Sequence, residues 1–330
     1  MLSKQVKSPC CKASVIRFGG RRRQCVQCGS TWRVRQSRRG RKPLRIRYQY
    51  LNKVFKDGLR VRQISTTRNI SKDAIRKRFG AALNTLVNQS RQINLPIGSL
   101  VLIIDALWRR FAEKYWTLYC LALKPIDKDE AIILDPILRP GKESTETWGA
   151  IIAGLSDPLK KQIIAVVSDG IRGFYRITSS YGWKWQRCHF HLISALQKRR
   201  GQRLATHGRI TREKIYQTVR CLLIETSEKR VRILKNQLRK LMVKPDCPKR
   251  IKWIINGFLR EFSFYRSYLD FPELNLPTTT GLMESINSRL KQRAPTIRTP
   301  DALRKWTIAI IRYKPIFKCK RAKLPTKLIP

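Results

Sequence analysis

The sequence predicts an α/β domain that a helical segment interrupts and that a basic, cysteine-containing segment precedes. Short apolar runs rich in Leu, Val and Ile alternate with helical patterns from about residue 98, which is typical of strands joined by helices. After His191 the strand patterns stop and long amphipathic stretches follow. The N-terminal region has closely spaced cysteines and no acidic residue before Asp57. The chain therefore has parts of clearly different character.

The charge of the chain predicts a polyanionic partner. There are 71 Lys and Arg residues against 21 Asp and Glu residues, a formal net charge of +50. A folded chain with this imbalance repels itself unless a polyanion neutralises it, and nucleic acid is favoured because phosphate contacts release counterions. Since 42% of the residues are hydrophobic, the chain is not merely a disordered basic tail. Charge alone does not distinguish an enzyme from a ribosomal or packaging protein.

No secretory or membrane-spanning segment is expected. The start, MLSKQVKSPCCK, lacks the apolar stretch of a signal peptide, and the longest apolar runs, such as residues 100–104, are too short to cross a bilayer. The cysteines suit a metal cluster with additional reduced thiols rather than a disulfide framework. We therefore expect a cytoplasmic protein without a membrane partner.

A zinc-ribbon-like segment is predicted over residues 1–34. Its four cysteines form two pairs: Cys10 and Cys11, then Cys25 and Cys28. Cysteines two residues apart on a tight turn can reach one tetrahedral zinc ion. The first pair is irregular, because Ser8 stands where the usual Cys-Pro-x-Cys pattern has its first cysteine. Cys10 takes that role, or the site has three sulfurs, or it has decayed; free thiols on a basic arm are a further alternative.

A helix-turn-helix is predicted over residues 48–95, after a basic linker over residues 35–47 that could lie along a DNA backbone. Ser71 is a favourable N-cap for the second helix. That helix carries a group of cations, Lys72, Arg76, Lys77 and Arg78. A basic second helix suits DNA binding, although an ordinary helical hairpin with a charged face also fits the pattern.

The next part of the chain predicts an RNase H-like domain over residues 96–314. The expected strands and helices are, in order, strands at 99–106, 115–123 and 131–137, a helix at 144–160, a strand at 162–167, a helix from about 171 and a strand at about 183–190. Three strands, then helix, strand, helix and strand is the order of an RNase H-like domain, and a generic α/β sheet is the alternative.

An all-helical insertion is predicted over about residues 192–275, with amphipathic stretches at 211–225 and 228–242. Two further helices are expected at 279–293 and 300–313. The tail, residues 315–330, is basic, and we expect it to be poorly ordered.

Two aspartates follow apolar strands and are candidates for metal ligands. Asp105 and Asp169 are each expected at the end of a strand, where open α/β sheets bind ligands. Two converging carboxylates repel each other unless a cation lies between them, and their hard oxygens suit Mg²⁺ or Mn²⁺. The alternative is that Asp169 caps the following helix and Asp105 begins a turn.

Four motifs, in order, resemble the Mutator-like superfamily of transposases, which includes bacterial insertion-sequence enzymes. They are LVLIIDALW with Asp105, VVSDGIRGF with Asp169, WQRCHFHLI with Cys188 and His191, and TTTGLMESINSRLKQR with Glu284. The resemblance covers about residues 98–312. The sequence departs from the family at Gly281, where the family often has Asn, and at the irregular first cysteine pair.

The resemblance implies a DNA transposase that excises and integrates a mobile element. Asp105, Asp169 and Glu284 would hold two Mg²⁺ (or Mn²⁺) ions for DNA strand cleavage and strand transfer. The partners would be the double-stranded terminal repeats and the target DNA, and the enzyme would act at the bacterial nucleoid as a homodimer or higher oligomer. The cations after Glu284 are expected to contact DNA: Arg289, Lys291 and Arg293.

Several alternatives to this interpretation stay open. Glu284 could be an ordinary surface carboxylate, and the chain could be a domesticated DNA-binding regulator that no longer cuts, or an RNase H-like nuclease without strand transfer. Cys188 and His191 are expected to be structural; a zinc site there would need Cys221 or Cys247. Trp253 is expected to pack in the core, with stacking on a displaced DNA base as the alternative.

Overall fold

A computed structural model describes most of the chain. The described residues are 7–19, 22–33, 54, 61–68, 71–89, 91, 93–201, 207–292, 297–313 and 316–319. The chain divides into two compact units, residues 1–51 and 52–330. The predicted basic linker, most of the first helix of the predicted helix-turn-helix, and Arg293 lie outside the described residues.

The first unit contains a small antiparallel sheet. Its strands are β1 (Val15–Arg17), β2 (Arg22–Cys25) and β3 (Thr31–Arg33), in the order β1-β2-β3. A tight turn joins β2 to β3: the amide of Gly29 donates to the carbonyl of Cys25 over 3.0 Å, and Gly29 has φ +71°, which glycine adopts without a steric cost. The sheet and its cysteines are compatible with a zinc ribbon.

A seven-stranded mixed sheet is the centre of the second unit. Its strands are β4 (Leu100–Phe111), β5 (Lys114–Pro125), β6 (Glu130–Ile133), β7 (Ile137–Pro140), β8 (Ile163–Ser168), β9 (Lys184–Arg187) and β10 (Ile316–Lys318). The order is β10-β6-β5-β4-β8-β9, and β7 also pairs with β5. Strands β4, β8 and β9 run parallel to one another, whereas the other pairings are antiparallel.

Three short helices cover the sheet between its later strands. They are α3 (Thr145–Ala153), α4 (Asp157–Gln162) and α5 (Phe174–Ser180). Trp148 on α3 is 1% exposed and packs edge-on against Tyr119 at 4.8 Å. It belongs to a core that includes alternate residues of β4, namely Leu100, Leu102 and Ile104, as expected for a strand with one face on that core.

The structure corrects three sequence-based boundaries. The predicted strand at 131–137 is two strands, because Pro136 lies between β6 and β7 and cannot donate a ladder hydrogen bond. The predicted helix at 144–160 is likewise two helices, since α4 starts anew with Pro158 in its first turn. The prediction that Asp105 ends its strand is wrong: β4 continues to Phe111 by pairing with β5, and Asp105 lies in its interior.

The insertion is helical in the part that the structure describes. Its main helices are α6 (His189–Gln197), α7 (Arg209–Ile224), α8 (Glu228–Val243), α9 (Lys249–Arg260) and the short α10 (Ser267–Asp270), with 3-10 turns at Ser263–Tyr265 and Pro272–Leu274. Apolar side chains from these helices form a second core. Trp253 is not part of it: this side chain is 64% exposed, so the prediction that Trp253 packs in the core is wrong, because it lies on the outward face of α9.

Two last helices and a strand return to the sheet. They are α11 (Gly281–Gln292), α12 (Pro300–Tyr313) and β10. The prediction of a poorly ordered tail is wrong for Ile316–Lys318, because this segment pairs antiparallel with β6 and the amide of Cys319 donates to the carbonyl of Asp129 over 2.6 Å. An apolar side chain, Phe317, is buried there, which explains why a short basic segment is held.

The two helices before the sheet, α1 (Val61–Arg68) and α2 (Lys72–Asn88), belong to the second unit. Phe79 on α2 stacks on Trp306 of α12 with ring centroids 5.1 Å apart. Arg312 of α12 caps the C-terminal end of α2 by donating to three carbonyls, those of Leu86, Val87 and Gln89, over 2.6, 3.2 and 2.6 Å. Its Nη2 and Nε donate to Asp135 over 2.6 and 3.4 Å.

Replacing Arg312 with alanine is expected to destabilise the second unit by at least about 2 kcal/mol, because charge-assisted hydrogen bonds contribute roughly 1.5–3 kcal/mol each and the freed carbonyls lose their partner. Urea denaturation of the wild type and of Arg312→Ala measures the difference in the free energy of unfolding. Lys305→Ala is the control, since Lys305 forms an i,i+4 pair with Asp301 on the same helix, a contact worth roughly 0.3–0.5 kcal/mol. Equal midpoints for both variants would show that Arg312 does not hold α2.

Among the helices of the described residues, none has both the length and the apolar character needed to span a bilayer.

Candidate active site

Asp105 is buried in the central region of the sheet. It lies on β4, which has β5 on one side and β8 on the other, and it is 4% exposed. One carboxylate oxygen, Oδ1, accepts from the amide of Ala106 over 2.9 Å. The other, Oδ2, accepts from Nδ2 of Asn287 on α11 over 3.1 Å. A helix distant along the chain thus orients this carboxylate.

Asp169 follows the neighbouring strand directly. β8 ends at Ser168 and runs parallel to β4, with Val167 paired to Ile103. The parallel pairing brings the end of β8 beside the middle of β4. As a result, carboxylate oxygens of Asp105 and Asp169 and a ring nitrogen of His191 all lie within 4.8 Å of one another. These three side chains form a group that could hold a metal ion.

His191 joins this group to Glu284. It lies in the first turn of α6, and its Nε2 is 3.2 Å from Oε1 of Glu284 in the first turn of α11. The structure therefore brings the three predicted acids into one region. Asp105 and Asp169 lie within 4.8 Å of His191, whereas Glu284 contacts His191 and is not one of the three side chains of the group that could hold the metal ion. The carboxylate of Glu284 also contributes to the electrostatic repulsion on Asp105.

Cys188 fixes the start of the helix that carries Glu284. It is 1% exposed, and its Sγ accepts from the amide of Thr280 over 3.3 Å. The carbonyl of Thr280 in turn accepts from the amide of Glu284 over 3.2 Å. Within the described part of the chain, no potential metal group includes Cys188, Cys221 or Cys247. This arrangement agrees with the structural interpretation of Cys188.

The electrostatics of the group follow from burial and crowding. Burial is the main cause that raises the pKa of Asp105 to about 8; the positive charge of His191 opposes this rise, and the charges of Asp169 and Glu284 add to it. Burial disfavours the charged form of His191, but hydrogen bonding with Cys188 and Glu284 and the charge of Asp105 raise its pKa to about 11. The contact with Glu284 thus favours the protonated form of His191.

In buffer without divalent cations, Asp105→Asn is expected to raise the Tm at pH 8 by at least about 5 °C. The pKa of Asp105 is about 8 in the fold against a reference of 3.8, so the folded state holds the proton more tightly. Wild-type stability from this group is thus complete below pH 3.8 and is lost as the pH rises to about 8. The Tm gain should grow across that window.

Calorimetry at several pH values measures this difference. Asp127→Asn is the control for the change in net charge, because Asp127 is exposed and lies in the turn after β5. If the Tm difference between Asp105→Asn and the wild type is the same at pH 4.5 and pH 8, burial does not raise the pKa of Asp105 as expected.

Glu143 is a fourth carboxylate near the group, and no sequence pattern indicated it. Its Oε1 accepts from Nε1 of the buried Trp148 over 2.7 Å. Burial, followed by the charge of Asp169, raises the pKa of Glu143 to about 7. No local pattern marks Glu143, because its contact with Trp148 forms only in the folded chain. Asn287, within the motif that contains Glu284, was likewise not predicted to contact Asp105.

The cations predicted to contact DNA lie on two helices. On α2, Lys72, Arg76 and Lys77 are exposed and Arg78 is half-buried, and Arg76 pairs with Asp73 over 3.1 Å. On α11, Arg289 is half-buried and Lys291 is exposed. These positions leave the side chains of the exposed members available to a phosphate backbone.

The four cysteines of the first unit converge. The sulfurs of Cys10, Cys11, Cys25 and Cys28 all lie within 4.8 Å of one another. Hydrogen bonding with Ser30, and further with Cys10 and Cys11, lowers the pKa of Cys28 to about 6, which favours the thiolate that binds metal. Ser8, in the position of the missing cysteine, is buried and accepts from Sγ of Cys25 over 3.4 Å. Four sulfurs in this arrangement could hold a zinc ion.

The second unit is thus a mixed α/β protein with a helical insertion, and its sheet gathers acidic side chains and a histidine that could hold a metal ion. A family model described as "Transposase, Mutator family" matches residues 40–303, and the chain belongs to this family. No curated protein matches the chain in a sequence comparison.

Proposed function

We propose that this transposase cuts DNA at the ends of a mobile element and joins those ends to a target, with Asp105, Asp169 and Glu284 as its metal-binding acids. The observation that carries the proposal is the convergence of three acids that lie far apart along the chain. They come from β4, from the loop after β8 and from α11, all within the segment that matches the family.

An RNase H-like fold for the catalytic domain is part of this proposal. The sheet has three consecutive antiparallel strands, β4 to β6, and adds β8 and β9 in parallel on the other side of β4. Helices connect β8 and β9 and precede β8. This strand order supports the RNase H-like interpretation, in which the acid on β4 and the acid directly after β8 meet.

The donor set fits Mg²⁺ or Mn²⁺. Carboxylate oxygens are hard ligands that suit these ions, and the repulsion among Asp105, Asp169 and Glu284 is of the kind that a divalent cation removes. When bound, two such ions would supply activation of the attacking water and stabilisation of the leaving 3′ oxygen. No serine or tyrosine nucleophile is then required.

The protein's own groups orient these acids. Asn287 and the amide of Ala106 each hold one oxygen of Asp105, so the carboxylate has a single orientation. Nε2 of His191 lies 3.2 Å from Oε1 of Glu284, and this contact holds the Glu284 side chain near the aspartates. Partners of this kind, which orient a metal ligand, usually contribute about 10–100-fold in affinity or activity.

DNA is the proposed partner of the basic surfaces. The net charge of +50 favours binding to the phosphate backbone. We assign recognition of the terminal repeats to the first unit and to α2, and contact near the cut site to the cations of α11. A homodimer or higher assembly is proposed because two transposon ends have to be processed together.

A cleavage and joining assay tests the proposal. Labelled DNA from the regions that flank the coding sequence is incubated with the full chain, Mg²⁺ or Mn²⁺ and a supercoiled target plasmid. The proposal requires nicked 3′ ends and covalent insertion of label into the plasmid, and Asp105→Asn serves as the inactive control. Cleavage without insertion would favour the RNase H-like nuclease, and binding without cleavage would favour the domesticated regulator.

A further inference from the structure

Arg187 contacts the main chain of the loop that carries Asp169. It is the last residue of β9 and lies in register with Ser168, the residue before Asp169. Its side chain is 13% exposed. Nη2 donates to the carbonyl of Asp169 over 2.8 Å and to the carbonyl of Gly170 over 3.2 Å. One guanidinium nitrogen therefore holds two consecutive peptide groups at the base of the Asp169 side chain.

Gly170 makes room for this contact. It has φ +87°, and a Cβ at this position would lie 2.0 Å from Nε of Arg187 and 2.3 Å from its Cζ. Such distances exclude any side chain at residue 170 while Arg187 occupies its place. The close approach of the guanidinium, together with the positive φ, thus explains why residue 170 is glycine.

The same guanidinium reaches the helical insertion. Nη1 forms an ion pair with Oε2 of Glu261, the residue directly after α9. The guanidinium also lies over the ring of Tyr265, with Cζ 4.8 Å from the ring centroid. Arginine can make these contacts at once because its planar fork has donors in several directions, whereas the ammonium group of lysine is a single point charge.

We propose that Arg187 is a positioning residue that sets the direction of the Asp169 carboxylate and holds it in a fixed relation to the end of the helical insertion. This inference rests on the proposed function, because it assigns Arg187 an effect on the metal-binding acids. The alternative is that Arg187 only stabilises the fold. Both roles predict a loss of activity, so the test needs a readout that a purely structural contact would not change.

The affinity for Mn²⁺ provides that readout. It is measured on the full chain without DNA, by electron paramagnetic resonance of the free Mn²⁺. Arg187→Lys keeps the charge but removes the fork, and we expect Mn²⁺ binding to weaken by about 10–100-fold. In cleavage assays, kcat should fall and the KM for DNA should stay unchanged. Glu261→Gln removes the ion pair with the insertion and keeps the contact of Arg187 with Tyr265, and we expect a smaller weakening in the same direction.

Arg200→Lys is the matched control. Arg200 also pairs with a glutamate, donating to Glu213 over 2.6 and 2.9 Å, and its guanidinium lies over the ring of Tyr216 at 4.3 Å. This pair belongs to the insertion and does not contact the Asp169 loop. Arg200→Lys should therefore leave the Mn²⁺ affinity unchanged.

A folded Arg187→Lys protein that binds Mn²⁺ as tightly as the wild type would overturn the inference. If Arg187→Lys does not fold, Glu261→Gln decides in its place, and unchanged Mn²⁺ affinity there has the same consequence. Failure of the proposed function is recognised separately: in that case wild type and Asp169→Asn would bind Mn²⁺ equally, and the comparison at Arg187 would not be needed to reject the metal site.

Discussion

Replacing Asp105 with asparagine is expected to reduce DNA strand cleavage by more than about 100-fold, because loss of a direct metal ligand should exceed the roughly 10–100-fold that loss of a supporting partner costs. Asparagine keeps the shape of the side chain and can still accept from the amide of Ala106, but it lacks the negative charge that a divalent cation needs. DNA binding should stay nearly unchanged, since phosphate contacts by exposed cations dominate affinity.

Gel assays of cleavage and of DNA binding on the same labelled substrate measure the two effects. The exposed Asp127→Asn is the control, because it removes the same charge from a turn distant in sequence from the three acids. If Asp105→Asn loses binding in proportion to cleavage, Asp105 is a structural residue and the enzymatic interpretation fails.

Replacing Cys28 with serine is expected to remove zinc from the first unit and to unfold its small sheet. Three strands of three or four residues bury too little apolar surface to be stable alone. A structural zinc site contributes on the order of 10 kcal/mol to the folding of such a segment. The wild type should therefore contain about one zinc ion per chain, and the variant essentially none.

Metal analysis together with limited proteolysis tests this expectation. Cleavage of the variant should occur within residues 1–51, which form a compact unit of their own, while the second unit resists the protease as before. Cys221→Ser, a change in the insertion and outside the cysteine cluster, should leave the zinc content unchanged. A wild-type protein free of zinc after purification in metal-replete medium would show that the cluster is not a zinc site.

Much of the sheet was predictable because its strands have strong local signals. The runs that became β4 and β8 contain several Val and Ile residues, and the run of β5 is rich in Leu and aromatic residues. The N-caps Ser71 and Ser144 indicate where α2 and α3 begin. The apolar runs before Asp105 and Asp169 indicated these two residues, and the resemblance of its motif indicated Glu284. The family match over residues 40–303 agrees with that resemblance.

Other features depend on contacts between distant segments and could not be predicted. β4 extends to Phe111 because it pairs with β5 along its whole length. The polar residues near the tip of this hairpin do not have the pattern of a strand, so the sequence alone did not predict this extension. β10 is held by its pairing with β6, although its basic sequence suggested a loose tail. Glu143 and Arg187 make their contacts only in the folded chain, so single-sequence patterns do not distinguish them from other charged residues.

The interior position of Asp105 on β4 has a consequence for how the three acids can approach one another. Strands on both sides hold β4 by backbone hydrogen bonds, so its carboxylate is a fixed reference point within the sheet. Glu284, in contrast, lies on α11, and the contact of this helix with β4 includes the side chain of Asn287. Any tightening of the acids around a cation therefore requires displacement of α11, of His191 on α6 or of the loop that carries Asp169, while the aspartate on the central strand stays where it is.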